Sequence, residues 1–183
     1  MPEPPKRVVV VEYDPAWPDQ FEGLRLVLAS RVAELAVAIH HVGSTAVPSL
    51  AAKPIIDIDI EIPSRDSLPE LVARLAELGY DHQGDLGVTG REAFRNRAAT
   101  DVPRDGSGRT RPRHHLYACA SGNRSLVRHL AFRDYLRDHP EAVEEYGDLK
   151  FELSAMFPQD IESYIAGKTG FVERVLRLAD CTV

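Results

Sequence analysis

Cysteine is scarce in this 183-residue chain, with Cys119 and Cys181 its only two. They lie far apart, and no Cys/His spacing resembles a zinc site, which excludes a disulfide scaffold and a structural zinc module. A reducing cytoplasm is the expected setting. Positive charge is also short: 22 Lys+Arg stand against 28 Asp+Glu, a formal net charge of -6. Broad binding to DNA or RNA depends on neutralising many phosphates, so this balance argues against it while leaving room for a phosphorylated small molecule. Long hydrophobic runs are missing too. Near the start only residues 8–11 form a valine run, too short for a secretory segment or a bilayer span, so no membrane partner is expected.

What is present suffices for a folded core. Hydrophobic residues make up 44% and charged residues 27%, the balance of a globular protein. A chain of this length buries about two thirds of its unfolded surface. The expectation is a single domain over residues 1–183, with a sheet-containing core over 1–120 and a helical part over 121–183.

The β-branched residues 8–11 read as a short strand closed by Tyr13-Asp14-Pro15. Trp17-Pro18 opens a helix, since proline is tolerated in the first turn. Phe21, Leu24, Leu28, Val32, Leu35 and Ile39 give that helix one apolar face. Residues 55–62 alternate, with Ile56, Ile58 and Ile60 on one strand face and Asp57, Asp59 and Glu61 on the other. Leu68, Leu71, Val72, Leu75 and Leu78 predict a second helix ended by Gly79. Weaker strand signals follow near residues 80–82, 87–89 and 92–96. Residues 98–113, rich in Gly, Pro, Ser and Arg, read as a mobile loop, and residues 114–119 as a strand. Beyond Asn123 the apolar spacing is helical, with breaks at Pro140 and Phe157-Pro158 that divide it into three helices. Strands first and helices last predict an α+β fold, a mixed sheet flanked by helices with a carboxy-terminal helical bundle.

Two features in this frame carry chemistry. Asp57 and Asp59, two apart on a strand, project from one face with Cα atoms roughly 6.6 Å apart, a spacing suited to a shared metal. Two magnesium ions about 4 Å apart are held by hard carboxylate oxygens of this kind. The alternative is that the acidic face is simply solvated, although aspartate is a poor strand former and paired aspartates repel. Glu61, roughly 13 Å from Asp57 along the strand, stays outside such a site. Upstream, Gly43, Ser44 and Thr45 form a turn whose glycine lets backbone amides and two hydroxyls approach a phosphate, and Lys53 lies between turn and strand as a further phosphate contact.

The stretch HVGSTAVPSLAAKPIIDIDIEI, with YDPAW near the start, HHLYAC, and HLAFRDYLRDHPEAVEEYGDLK later, resembles the GrpB family over nearly the whole chain. That resemblance implies the nucleotidyltransferase superfamily typified by DNA polymerase β, marked by a Gly-Ser turn, a DxD strand and a third acidic residue on a later strand. Gly43 and Ser44 would then meet the triphosphate, and Asp57 and Asp59 would hold Mg²⁺ or Mn²⁺. The third position should fall within residues 113–117, where no carboxylate occurs. His115 stands there instead, and imidazole is competent as a general base or a ligand near neutral pH. The sequence also departs from the family pattern at Tyr117, where a histidine is common, and at Ser49, where a glycine is usual. By alternation His115 and Tyr117 share one strand face.

Four arginines, Arg104, Arg109, Arg111 and Arg113, precede that strand, and bidentate contacts from such a loop suit phosphate. Arg113 is carried forward as a phosphate contact. The family also tends to be basic at Arg133, Lys150 and Lys168, which the resemblance places at the far side of the cleft. The expected activity is magnesium-dependent transfer of a nucleoside monophosphate from an NTP to an unknown acceptor. The alternative is a degenerate module that binds a nucleotide or a protein partner without transfer.

Overall fold

The computed structural model describes residues 7–96 and 100–181. Helix α1 is Trp17–Val32 and buries Trp17, Leu24, Leu28 and Val32, with Pro18 in its first turn as the sequence predicts. It stops earlier than its apolar stripe suggests. Ile39 belongs to strand β1, Ala38–Val42, and Leu35 to the turn before it. Both still pack on the same core, which is why helical spacing reached them. Pairing with the next strand, in register along all five residues of β1, outweighs local helix propensity here.

Strand β2 is Ile56–Ile62, and α2 is Leu68–Glu77, followed by Gly79 at φ 96. Short β3, Asp81–His82, and β4, Arg91–Arg95, come next, then β5, His114–Ala120. Residues 87–89 are not a strand, because positive φ at Gly87 and Gly90 makes a tight turn into β4. Residues 8–11 are not one either. Val11 makes a single bridge to Ala52, while Val8 packs with Leu153 and Tyr164 away from any strand edge. Of the segment 98–113, residues 98 and 99 lie outside the described residues. The remainder is tied down: the Arg104 N–H donates to the Leu78 carbonyl, Arg111 pairs with Asp105, and buried Val102 seats on Gly79.

The sheet has the order β1-β2-β5-β4-β3. Only the β2/β5 pair is parallel, so the sheet is mixed. Helices α1 and α2 cover the face carrying Ile56, Ile58, Ile60, Leu116 and Phe94. The other face meets α3, Arg124–Asp138. Helices α4, Pro140–Met156, and α5, Ile161–Leu178, pack with α3 through Leu136, Tyr146, Phe171 and Val175. Among the described residues no helix is long and apolar enough to cross a membrane. The observed architecture is the expected α+β arrangement.

Candidate functional site

The site grows from the connection between β1 and β2. After Val42, Gly43 takes φ 71 and feeds a 3₁₀ turn at Ser44–Ala46 before the chain returns as β2. A side chain at position 43 would collide with Asp57: a Cβ there would stand 3.0 Å from the Asp57 Cγ and closer still to Oδ2. Only glycine lets this turn lie against the carboxylate.

Register then defines the acidic face. Asp57 stands beside Val42 and His115, and Asp59 beside His40 and Tyr117. The face is not solvated as a plain amphipathic strand would be, since Asp59 is fully buried. Each acid meets a histidine. His115 Nδ1 lies 2.8 Å from Asp57 Oδ1, His129 Nδ1 2.6 Å from Asp59 Oδ2, and His40 Nε2 2.8 Å from Glu61 Oε2. Carboxylates accept, so these ring nitrogens donate, and in a neutral imidazole held this way Nε2 of His115 and of His129 is the acceptor nitrogen. Ser121 also donates to Glu61 at 2.6 Å, and these partners hold the Glu61 carboxyl below its ordinary range. Glu61 is thus committed to His40 and Ser121 and stays outside the site, as its spacing predicts.

Opposite Asp57 the chain gathers lysines. Lys53 and Lys168 lie 5.8 and 4.5 Å from the centre of the Tyr164 ring, and Lys150 lies 4.5 Å from that of Tyr146. Lys150 is only 1% exposed and donates to the Ala51 carbonyl. Burial pushes its ammonium down to about 6, with Lys168 repelling it further. Burial and then Lys53 bring Lys168 down to about 8, against the pull of Asp57. Lys53 is lowered by burial as well, again opposed by Asp57. The three lysines thus form a chain, Lys150 to Lys168 to Lys53, from the α4/α5 side toward Asp57, and Arg113 adds its charge near Lys53.

Other residues singled out from the sequence fall elsewhere. The Thr45 hydroxyl is turned inward, shared with His41 at 3.0 Å and donated to the Ile55 carbonyl at 3.4 Å, so it is not free for a phosphate. Ser44 stays on the turn, its hydroxyl unpartnered among the described residues. Arg133 does not join the lysines. Its guanidinium binds Asp134 and the His41 carbonyl, bracing β1.

Sequence reasoning missed His129 and Arg137. With Arg133 they recur every four residues on one face of α3, meeting Asp59, the His41 carbonyl and the Ala46 carbonyl in turn. The polar HxxxRxxxR spacing was the available signal. It lies among the leucines that announce the helix.

A divalent cation was expected at Asp57 and Asp59. Among the described residues no group of three or more His, Cys, Asp or Glu side chains is arranged to hold a metal. Asp59 Oδ1, however, is buried without a hydrogen-bond partner. Such an orphan oxygen, two residues along the strand face from the Asp57 carboxylate, fits one cation shared by the pair. His115, not a carboxylate, stands beside Asp57 on β5.

Fold and site together define an α+β protein whose five-stranded mixed sheet carries an aspartate pair, Asp59 buried and Asp57 half-buried, flanked by lysines. The chain belongs to the GrpB family: residues 7–178 match the family described as GrpB protein. It is 37% identical to UPF0157 protein YqkA of Bacillus subtilis, over 93% of this chain and 46% of that one. It is 38% identical to UPF0157 protein PA4798 of Pseudomonas aeruginosa, over 93% of this chain and 66% of that one. The chain therefore spans about half to two thirds of these relatives' length. The crystal structure of conserved protein GrpB from Enterococcus faecalis superposes with a TM-score of 0.78 at 33% identity, covering 93% of this chain and 96% of that chain.

Proposed function

We propose that the cleft binds the phosphate chain of a nucleoside triphosphate together with one divalent cation, and transfers the nucleoside monophosphate to a hydroxyl or phosphate of an acceptor. The observation that carries this reading is the convergence of Lys53 and Lys168 on Asp57, with Lys150 behind Lys168, beside an Asp59 oxygen that has no partner among the described residues. Partly desolvated lysines with a single nearby carboxylate are under-neutralised, and a polyphosphate relieves their repulsion. A Gly-Ser turn followed by an acidic strand is the order that the nucleotidyltransferase resemblance implies, with His115 standing where its third acid would be.

Asp57 and Asp59 would hold the cation, which when bound supplies Lewis-acid stabilisation of the phosphate oxygens. Gly43 and Ser44 offer the turn, and the lysines offset the charge that develops on leaving pyrophosphate. The acceptor oxygen forms the new bond to the α-phosphorus as the α–β bridging P–O bond breaks. The acceptor proton passes to the free Nε2 of His115, whose Nδ1–H is held by Asp57.

The missing third carboxylate favours one other reading, a nucleotide-binding or protein-interaction module without transfer. Both are tested by titrating the chain with ATP and Mg²⁺ or Mn²⁺ and following labelled NTP with candidate acceptors. Label transfer that Asp57→Asn abolishes supports transfer, whereas binding without turnover supports the module. Transfer unchanged in Asp57→Asn overturns the site assignment.

A further inference from the structure

Along β5 the cleft face presents His115, Tyr117 and Cys119 in turn. Asp57 stands beside the first, Asp59 beside the second and Arg91 beside the third. The lysine cluster reaches Asp57, at the start of this row, whereas Arg91 stands at its far end. Its guanidinium carbon lies 4.5 Å from the centre of the Tyr117 ring. Its Nε is shut off from water and has no acceptor, and among the described residues no carboxylate pairs with the guanidinium. The Tyr117 hydroxyl likewise has no hydrogen-bond partner among the described residues.

An arginine is always charged, and a buried N–H without an acceptor is unfavourable. Stacking on Tyr117 fixes the guanidinium plane without using its donors. The root of the side chain is fixed too. Gly90, at φ 74, lies so close to Asn123 that a Cβ would come within 2.6 Å of the Asn123 amide nitrogen, so the start of β4 is seated on the cap of α3. Electrostatics separates this corner from the lysines. Burial raises the Tyr117 hydroxyl, with Arg91 opposing and both aspartates adding to the rise, while Asp57 acts on Lys53 and Lys168, Lys168 acts on Lys150, and Arg91 acts on none of the three.

We propose that Arg91 and Tyr117 form a second oxyanion subsite, which takes a phosphate group on the acceptor. This deepens the proposed function, on which it rests, by giving the second substrate a chemical class: a phosphorylated molecule whose phosphate sits at the Arg91 end of the row and whose reacting oxygen reaches toward Asp57 and His115. The Arg91 fork and the Tyr117 hydroxyl together offer more donors than a carboxylate engages, and they match the three terminal oxygens of a phosphate ester.

The test titrates the full chain with inorganic phosphate by calorimetry, in the parent, Arg91→Gln, Arg91→Lys and Lys168→Gln. The parent is expected to take up phosphate at two places. Arg91→Gln removes one and leaves Mg²⁺-ATP affinity within about twofold, Lys168→Gln weakens the other, and Arg91→Lys keeps the subsite about tenfold weaker because the ammonium lacks the fork. Phosphate stoichiometry unchanged in both Arg91 variants overturns the subsite, and so does acetate displacing phosphate at equal concentration. If Mg²⁺-ATP binds to no form while the Arg91-dependent phosphate persists, the nucleotide reading falls and the oxyanion subsite stands. Arg91→Lys keeps the comparison interpretable should Arg91→Gln melt without cooperativity.

Discussion

Gly43 and Asp57 are fitted to each other: the glycine has φ 71, and any Cβ there would overlap the Asp57 carboxylate. Alanine at this position meets two penalties, a left-handed backbone and a displaced acid. The backbone term costs about 1–2 kcal/mol. The displacement acts on the site itself, so binding should suffer more than folding. Gly43→Ala is expected to remain folded, with affinity for Mg²⁺-ATP reduced by about tenfold or more, equivalent to at least ~1.4 kcal/mol. Calorimetry beside a thermal melt checks it. A variant that binds as the parent does would show that the turn and Asp57 do not share a ligand.

Lys150 sets stability against function. Its ammonium, almost wholly buried, titrates at about 6, against an ordinary lysine value of 10.5. The unfolded chain therefore holds this proton over a range where the folded chain does not. The folded state is penalised progressively as pH falls from about 10.5 toward about 6, and this contribution levels off below that. Lys150→Met removes the penalty while keeping the volume and is expected to raise stability by on the order of a few kcal/mol near neutral pH. It should also weaken phosphate binding. In the parent, Lys168 loses its charge as pH rises through about 8, so anion affinity should fall above that pH, and binding at neutral pH should take up protons. Melts of both forms from pH 6 to 10, and binding heats in buffers of different ionisation enthalpy, test the pair of effects. A destabilised Lys150→Met would place the lysine in a purely structural role.

Periodicity revealed those parts of the fold where one face is apolar. The isoleucines of β2 and the leucines of α2 announced their elements because side-chain direction follows from the backbone repeat. Strand β1 stayed hidden because Leu35 and Ile39 satisfy the helical spacing of α1 while packing on the same core from a turn and a strand. The alternation of β2 showed that Asp57 and Asp59 share a face, but it could not show that α3 covers it and buries Asp59. The lysines are spread from position 53 to position 168, and only the packing of α4 and α5 brings them together. Thr45 carried the right chemistry in the right turn, yet its hydroxyl direction was settled by His41 and Ile55.

Ser49 occupies a position where the resembled family commonly has glycine, and its backbone supplies the reason. It has φ 64, left-handed and strained for any residue with a Cβ. Ser49→Gly relieves about 1–2 kcal/mol of backbone strain and gives back part of it, about 0.5–1 kcal/mol, as unfolded-chain entropy. The net expectation is a gain of up to ~1.5 kcal/mol with ligand binding unchanged. Denaturant midpoints at equal slope measure it, and a loss of stability would mean that the serine side chain makes an interaction worth more than the strain.

The face of α3 that carries His129, Arg133 and Arg137 braces the site through Asp59, the His41 carbonyl and the Ala46 carbonyl. His129 matters most, because Asp59 is fully buried and one of its oxygens already lacks a partner. His129→Ala leaves the whole carboxylate unpartnered and is expected to cost about 3–5 kcal/mol, the range for breaking a buried charge-assisted pair from one side. Asparagine can place an amide N–H near the position of Nδ1, so His129→Asn should recover a large share of that stability. Arg137→Ala leaves the buried Ala46 carbonyl without its two guanidinium donors, at 3.0 and 2.8 Å, and should cost about 1–3 kcal/mol while loosening the Gly43 turn. A saturating divalent cation adds a sharper test. By satisfying Asp59 it should raise the melting temperature of His129→Ala more than that of the parent, whereas equal shifts would mean that the cation does not reach Asp59.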